Sequence, residues 1–272
     1  MEDLLEGPSA LVVDAQRLGG ELLEDLQTLT AILAKVLVCG HVKSSCLFEN
    51  VHSVNARRVI SIPANSGAAA PLSTLGAVTV ALTLIAAYLI GSVDFAVLVA
   101  RIHGVDIRQV GSGNPGTSNV LRTLGKVPAA MVFIGDLLKG VIAAAMGTVA
   151  GGGDPQAVWA FAAGLAAVLG HCYPIFHRFK GGKGVATAAG VLIYTIPLGG
   201  LVLGGLWAVV VGITRVASLG SLAVVLLAVP VAIWRGVRGA SLAVLVAILL
   251  LIVWRHRGNI GRMLGGAEQK LA

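Results

Sequence analysis

Long apolar runs separated by short polar segments dominate residues 76–254. A membrane-spanning helix needs about 20 apolar residues. Runs approaching or exceeding that length cover 76–100, 128–150 and 216–234, with shorter or interrupted runs at 156–170, 184–213 and 239–254. Only 12% of the residues are charged, and the mean hydropathy is +0.88. Because a chain in lipid must bond its backbone polar groups internally, these runs predict an all-α, polytopic integral membrane helical bundle.

The number of spans depends on residues 184–213, which Pro197 interrupts. One long kinked helix gives six spans and a tail outside the cell, whereas two short helices give seven spans and a tail inside. The tail WRHRGNIGRML is strongly basic and favours the inner face, although Arg235 and Arg238 then lie outside. We therefore predict about seven transmembrane helices, with the N-terminus outside and the C-terminus inside.

Residues 1–75 differ from the rest in charge. They hold eight acidic and five basic residues, whereas residues 76–272 hold five acidic and fifteen basic ones. The stretch LLEDLQTLTAILAKVLV has helical apolar spacing, and SIPANSGAAAPLS is typical of a linker. We predict an N-terminal extension over 1–75, partly helical or disordered, and a membrane domain over 76–272. The extension could be irrelevant to the chemistry, arise from a start codon placed too early, or contain a partner-binding helix.

A polar segment, VGSGNPGTSNVLR at 110–122, follows the first span. Its small, amide and hydroxyl residues allow backbone N–H groups to turn toward one anion, and a helix start would add its dipole. Arg122 could direct a guanidinium at the same anion. The alternative is a flexible turn at the membrane edge. The segment matches neither the phosphate-binding motif G-x-x-x-x-G-K-[ST] nor the glycine-rich dinucleotide-binding motif that follows a strand, so no nucleotide is implied.

A second polar segment, GHCYPIFHRFKGGKGVAT, contains His171 and a glycine-rich turn with Lys183. The span order places it on the same side as the first segment, so the two could converge on one anion. That side is predicted to be cytoplasmic because the two loops hold Arg101, Arg108, Arg122, Lys126, Arg178, Lys180 and Lys183. A third basic segment, RHRGN at 255–259, could close the site, although orientation alone also explains a basic flank.

Charged residues inside the spans are few. Asp136 and Lys139 are three residues apart and are predicted to pair on one helix face, an arrangement that we interpret as structural. Asp94 has no such explanation. The cysteines Cys39, Cys46 and Cys172 lack the spacing of a disulfide framework or zinc site, so no metal or other cofactor is expected.

The quoted segments, together with DLLKG and RHRGNI, resemble in order and spacing the bacterial acyl-phosphate:glycerol-3-phosphate acyltransferases, the PlsY family, over residues 76–265. The resemblance implies a bacterial inner-membrane enzyme with seven spans and a cytoplasmic site. It would transfer an acyl chain from acyl phosphate to the 1-hydroxyl of glycerol 3-phosphate, giving lysophosphatidic acid and phosphate for phospholipid biosynthesis. The enzyme that produces acyl phosphate is a candidate partner beside the lipid bilayer, and no nucleic acid is expected.

The family's functional residues map onto this chain motif by motif. The implied catalytic residues are His171, Ser112 and Asn119. The implied substrate-binding residues are Ser112, Gly113, Asn114, Thr117, Ser118, Asn119, Arg122, Lys180, Gly181, Gly182, Lys183, His256 and Asn259.

This chain departs from the family pattern at three places. Asp94 stands where the family usually has proline, Thr117 and Ser118 stand where it has Ala-Thr, and Gly258 stands where it usually has glutamate. The last change removes a carboxylate from a site motif, which keeps a catalytically inactive lipid-binding homologue as an alternative. A small anion transporter is the other alternative, with the intramembrane charges as its pathway.

Direct acyl transfer is the mechanism that the sequence favours. No Ser-His-Asp arrangement, H-x-x-x-x-D motif or metal cluster is visible, and acyl phosphate is already activated. Either a phosphate oxygen or His171 could accept the proton of the attacking hydroxyl.

Overall fold

The computed structural model describes residues 74–271, and the predicted extension over 1–75 lies almost wholly outside this range. The described secondary structure is entirely helical, which confirms the all-α prediction. The helices are α1 Thr74–Gly91, α2 Phe95–Ile102, α3 Thr117–Leu124, α4 Lys126–Ala150, α5 Val158–Cys172, α6 Val185–Thr195, α7 Pro197–Thr214, α8 Ala217–Trp234, α9 Gly239–Arg255 and α10 Arg257–Leu264. A short 3₁₀ turn at Ile175–His177 follows α5.

Seven apolar helical segments occur in the described range, close to the predicted positions. Five are long and apolar enough to cross a membrane, namely Gly76–Ile102, Lys126–Ala150, Val158–His177, Pro197–Thr214 and Ala217–Trp234. The pair α9 and α10, bent by 53°, makes a sixth if it is counted as one span. The seventh, α6, has 11 residues and is about 16 Å long, so it is too short to cross alone.

Pro197 divides the interrupted run where the sequence predicts a division. α6 ends at Thr195, and Pro197 occupies the first turn of α7, where the N–H that proline lacks would have no helical partner. Near this junction, Gly199 lies beside Val231 and the stem of Arg235. The start of α7 and the end of α8 therefore lie at the same end of the bundle.

Glycines let the central helices approach closely. α4 packs against α1, α5 and α6. A Cβ added at Gly140 would collide with the carbonyl oxygen of Thr187, and one at Gly190 would collide with that of Leu137. The backbones of α4 and α6 are therefore in contact, as expected for small residues in membrane bundles.

Polar contacts identify the two ends of the bundle. We call the end that carries the first polar loop (103–116), the second polar loop (178–184) and the tail (256–271) the polar end. At the opposite end, the Gln156 side chain donates to the Arg235 carbonyl at 3.4 Å, and Ser241 Oγ donates to the Gln156 carbonyl at 2.8 Å.

The structure explains Asp94, which the sequence left without a role. Its Oδ1 accepts a hydrogen bond from the Val97 N–H at 3.1 Å and so caps α2. Its Oδ2 lies 3.4 Å from Arg108 Nη2. Asp94 thus ties the break between α1 and α2 to the first polar loop.

Candidate active site

Asn119 organises the first polar loop from its position in α3. Its Oδ1 accepts from the Ser112 N–H at 2.8 Å, and its Nδ2 donates to the carbonyls of Ile107 and Val110 at 3.1 and 3.0 Å. The Asn119 side chain is buried, so these bonds are shielded from water. At Gly111, which has φ +59°, a Cβ would collide with the Asn119 amide. The loop conformation therefore depends on both residues.

Two arginines hold the second polar loop by its carbonyl groups. Arg108 Nη2 donates to the Lys180 carbonyl at 3.0 Å. Arg255 donates from Nε to the Gly182 carbonyl at 3.0 Å and from Nη2 to the Gly181 carbonyl at 2.6 Å. Arg255 was not among the predicted site residues, although it belongs to the basic run RHRGN.

Gly182 lies where the two polar loops meet His171. A Cβ at this position would collide with His171 Nε2 and with the Pro115 carbonyl oxygen. Only glycine therefore fits between the first polar loop and the imidazole.

The bend between α9 and α10 directs the third segment toward the same place. His256 Nδ1 is bonded to the Ile252 carbonyl at 2.8 Å. Asn259 Nδ2 donates to the carboxylate of Glu268, which also accepts from Ser218 Oγ at 2.8 Å and from Arg262 Nε at 2.9 Å. Burial alone would raise the pKa of Glu268, but the hydrogen bonds from Asn259 and Ser218 and the Arg262 charge together lower it. Glu268 is thus an ionised site residue that the motifs did not indicate.

The tail also contacts Arg122. The guanidinium donates from Nε to the Lys270 carbonyl at 3.1 Å and from Nη2 to the Gln269 carbonyl at 3.2 Å. The Leu271 N–H donates to the Arg215 carbonyl at 2.7 Å and fixes the end of the tail. The two Arg122 bonds use two of the five N–H groups that a guanidinium carries.

Lys183 adds a second cation beside Arg122. Its pKa is lowered to about 8, mainly by burial and further by the charges of Arg262, Arg122 and Arg255, while the Glu268 carboxylate opposes this shift. The side chain is therefore protonated at neutral pH and is surrounded by three arginines and one carboxylate, so positive charge is in excess. An anion bound between these side chains would relieve their repulsion.

These groups line one cavity of about 530 Å³. Ten of the predicted site residues line it, namely Ser112, Asn114, Thr117, Ser118, Asn119, Arg122, His171, Lys183, His256 and Asn259. The other four, Gly113, Lys180, Gly181 and Gly182, lie outside its wall. The Lys180 side chain is exposed, and its role remains a prediction.

The far part of the cavity is apolar. It runs between α6, α7, α8 and α9, and its walls are formed mainly by Leu192, Ile193, Leu203, Gly204, Trp207, Val224, Val225 and Leu249. We call the part lined by Arg122, Lys183, Ser112 and Asn114 the mouth, and the apolar part the groove. The cavity thus joins a cationic, hydrogen-bonding mouth to a mainly apolar groove. That shape matches an amphiphile with an anionic head and an acyl chain.

The predicted pair of Asp136 and Lys139 is confirmed, with Oδ1 and Nζ 2.8 Å apart. Both side chains are buried, Asp136 lines the cavity, and Lys139 Nζ also contacts His171.

Comparison with known proteins connects this geometry to a family. The sequence profile described as "Glycerol-3-phosphate acyltransferase" matches residues 81–266. The chain is 44% identical to the glycerol-3-phosphate acyltransferase of Azotobacter vinelandii over 189 residues, which are 69% of this chain and 97% of the relative. It is 46% identical to that of Halalkalibacterium halodurans over 195 residues, 70% of this chain and 94% of the relative.

Two crystal structures share the fold. Both are of PlsY (YgiH), an integral membrane glycerol 3-phosphate acyltransferase, in its glycerol 3-phosphate form and its lysophosphatidic acid form. The TM-scores are 0.68 and 0.66 at 40% sequence identity, and the match covers 71% of this chain and 96% and 95% of those chains.

Proposed function

Because the chain belongs to the glycerol-3-phosphate acyltransferase family, we propose that it transfers an acyl chain from acyl phosphate to the 1-hydroxyl of glycerol 3-phosphate. The products are lysophosphatidic acid and inorganic phosphate, and the reaction serves phospholipid biosynthesis. The acceptor and the product agree with the ligands that name the two related crystal forms. The acyl-phosphate donor is our inference from the resemblance to the PlsY family.

The observation that carries this proposal is the single cavity with two chemically different parts. Arg122 and Lys183 supply positive charge at the mouth, and Ser112 and Asn114 supply hydroxyl and amide groups there. The groove between α6, α7, α8 and α9 offers a mainly apolar wall to a long chain. One substrate with a phosphate head and one with an acyl phosphate would meet at the junction of the two parts.

The chemistry needs little beyond binding and orientation. The bond between the acyl carbon and the phosphate oxygen breaks, and a new bond forms between that carbon and the glycerol hydroxyl oxygen. The phosphate leaves with the bonding electrons, and the hydroxyl proton ends on the released phosphate. Holding the two anionic substrates side by side converts a bimolecular encounter into an oriented one, which is a large contribution to rate. The cations of the mouth also stabilise charge as it develops on the leaving phosphate.

Substrate binding is thus proposed for the ten predicted residues that line the cavity, with His171 and Ser112 nearest to the chemistry. Asn119 contributes through the loop that it holds. The site is proposed to face the cytoplasm of a bacterial cell, from the inner membrane, where an enzyme that makes acyl phosphate could deliver the donor.

An assay of the purified full-length protein tests the proposal. Palmitoyl phosphate and glycerol 3-phosphate are supplied in detergent micelles, and lysophosphatidic acid is measured by mass spectrometry. We expect product with palmitoyl phosphate but not with palmitoyl-CoA, and little product when glycerol replaces glycerol 3-phosphate. Equal rates with the two donors would reject the acyl-phosphate assignment. Absence of acyl transfer from a folded protein would reject the activity itself.

A further inference from the structure

A buried charged pair lies directly behind His171. Asp136 and Lys139, both on α4, are each 2% exposed, and His171 at the end of α5 is 8% exposed. Lys139 Nζ lies 2.8 Å from Asp136 Oδ1, 2.9 Å from the Val93 carbonyl oxygen and 2.8 Å from His171 Nδ1. The contact with Asp136 is an ion pair that lacks hydrogen-bond alignment, whereas the other two contacts are aligned.

This geometry determines which imidazole nitrogen carries the proton. The ion pair with Asp136 keeps Lys139 as an ammonium, and an ammonium has three donors and no acceptor. A hydrogen bond between Nζ and Nδ1 can then form only if Nδ1 accepts. The neutral ring consequently carries its proton on Nε2.

The arrangement is the reverse of one in which a carboxylate orients a histidine base. There, the carboxylate accepts the Nδ1 proton and leaves Nε2 free to take a proton from the nucleophile. Here, Asp136 Oδ1 is 3.5 Å from Nδ1, beyond a strong hydrogen bond, and Lys139 lies closer. Nε2 lies against Gly182, on the side of the ring where the two polar loops meet.

We propose that Lys139, held by Asp136, is a positioning residue that fixes His171 as an Nε2–H hydrogen-bond donor toward substrate oxygens in the cavity. The proposal rests on the proposed acyl transfer only for the identity of those oxygens, which belong to a phosphate or to the acyl carbonyl. It gives the buried pair a role in the reaction in addition to its role in packing. It also means that His171 is not the acceptor of the hydroxyl proton.

The tautomer can be measured directly on the full-length protein. The protein is labelled with ¹⁵N-histidine and reconstituted in lipid nanodiscs, and the His171 ring signals are assigned by their loss in His171→Gln. We expect the ¹⁵N shifts of a neutral ring protonated on Nε2. A ring protonated on Nδ1, or on both nitrogens, at neutral pH would overturn the proposal. This readout does not depend on catalysis, so failure of the acyl-transfer assay would leave it decisive.

Kinetics of Lys139→Met provide the second test, since methionine keeps much of the length and removes every donor. We expect the histidine signals to show a mixture of tautomers or a shift to Nδ1–H. We also expect kcat to fall about tenfold or more, because a positioned donor is lost from the reaction, while KM for glycerol 3-phosphate stays within about twofold.

A matched control separates this effect from general damage to α4. Thr148 lies on the same helix and is buried, and its hydroxyl donates to the Ala144 carbonyl of that helix. Thr148→Val should leave the His171 signals and kcat unchanged. If Lys139→Met keeps the wild-type tautomer and loses activity only in proportion to folded protein, the pair is purely structural. If Lys139→Met does not fold, the measurement on the wild-type protein decides alone.

Discussion

At the scale of single residues, Arg122 tests the anion site most directly. Its guanidinium lines the mouth and is already oriented by the carbonyls of Gln269 and Lys270. We expect Arg122→Ala to lower kcat/KM for glycerol 3-phosphate roughly 30- to 150-fold, because the loss of charge-assisted bonds raises the activation free energy by about 2–3 kcal/mol. Arg122→Lys should raise KM for glycerol 3-phosphate less than Arg122→Ala does, because lysine keeps the charge but cannot donate two parallel hydrogen bonds as a planar guanidinium can.

The control for Arg122 is Arg101→Ala, which removes the same charge from an exposed side chain on α2. Steady-state kinetics at fixed ionic strength compares the two. Similar losses in both variants would mean that Arg122 acts through the overall field and not through contact.

The lowered pKa of Lys183 predicts that the activity depends on pH. Its pKa of about 8 lies below the usual 10.5, so the side chain is charged below pH 8 and becomes neutral as pH rises through that value. The second pKa of a phosphate monoester is about 6, so the substrate is already dianionic there. We expect kcat/KM for glycerol 3-phosphate to fall above about pH 8.

Lys183→Arg should move this alkaline fall upward, since arginine stays protonated. Lys126→Arg, on an exposed residue at the start of α4, should not move it. An unchanged alkaline limb in Lys183→Arg would assign the titration to another group.

Sequence reasoning about residues was limited by contacts that have no local pattern. Glu268 bonds Asn259, 9 positions away, and Arg255 bonds the carbonyls of Gly182 and Gly181, 73 and 74 positions away. A contact with a backbone carbonyl has no sequence pattern that would indicate it. Asn119 is predicted to contact substrate, and the structure adds a second role, because its amide bonds Ile107, Val110 and Ser112. The motif therefore indicated a segment that lines the cavity, but it did not indicate which of its residues also hold the loop together.

At the scale of helices, the prediction was more complete because run length and proline position are local information. The structure divides 184–213 at Pro197, as expected, and places helix ends within a few residues of the predicted ones. Two short helices were predicted here, but not that the first would have only 11 residues. The second polar loop precedes α6 and contributes Lys183 to the cavity wall, so the short helix leaves room for polar backbone inside the bundle.

α7 offers a test of the acyl groove. A Cβ at Gly204 or at Gly205 would meet open space, but only Gly204 lines the cavity. We expect Gly204→Leu to reduce kcat/KM for long acyl phosphates relative to short ones, by about 0.8 kcal/mol for each CH₂ that it displaces. Kinetics with a series of acyl phosphates of about 8 to 18 carbons measure the effect.

Gly205→Leu is the matched control, with the same helix, the same substitution and the neighbouring position. It should retain the wild-type chain-length profile. The same shift in both variants would place the acyl chain outside the proposed groove.

At the scale of the whole molecule, the family match begins at residue 81, and the Azotobacter relative is covered over 97% of its length by 69% of this chain. We therefore expect the catalytic unit to be contained in residues 76–272. We expect deletion of residues 1–70 to leave kcat and both KM values within about twofold of the full-length protein. A deletion variant that shows the wild-type melting profile but no acyl transfer would assign the extension a direct part in the reaction.

The distribution of charge between the two ends of the bundle predicts its orientation. Among residues 76–271, the basic residues at or near the polar end are Arg101, Arg108, Arg122, Lys126, Arg178, Lys180, Lys183, Arg215, Arg255, Arg257, Arg262 and Lys270. The opposite end carries Arg235 and Arg238. Positive charge is retained on the cytoplasmic side, so we expect the polar end and its cavity to face the cytoplasm.

In a background with Cys39 and Cys46 replaced by serine, a membrane-impermeant maleimide applied to intact cells should label Asp154→Cys and Ala240→Cys. It should label Gly258→Cys and Gly261→Cys only after permeabilisation. Labelling of either tail position in intact cells would reverse the orientation and place the cavity mouth outside, where an intracellular acyl-phosphate donor could not reach it.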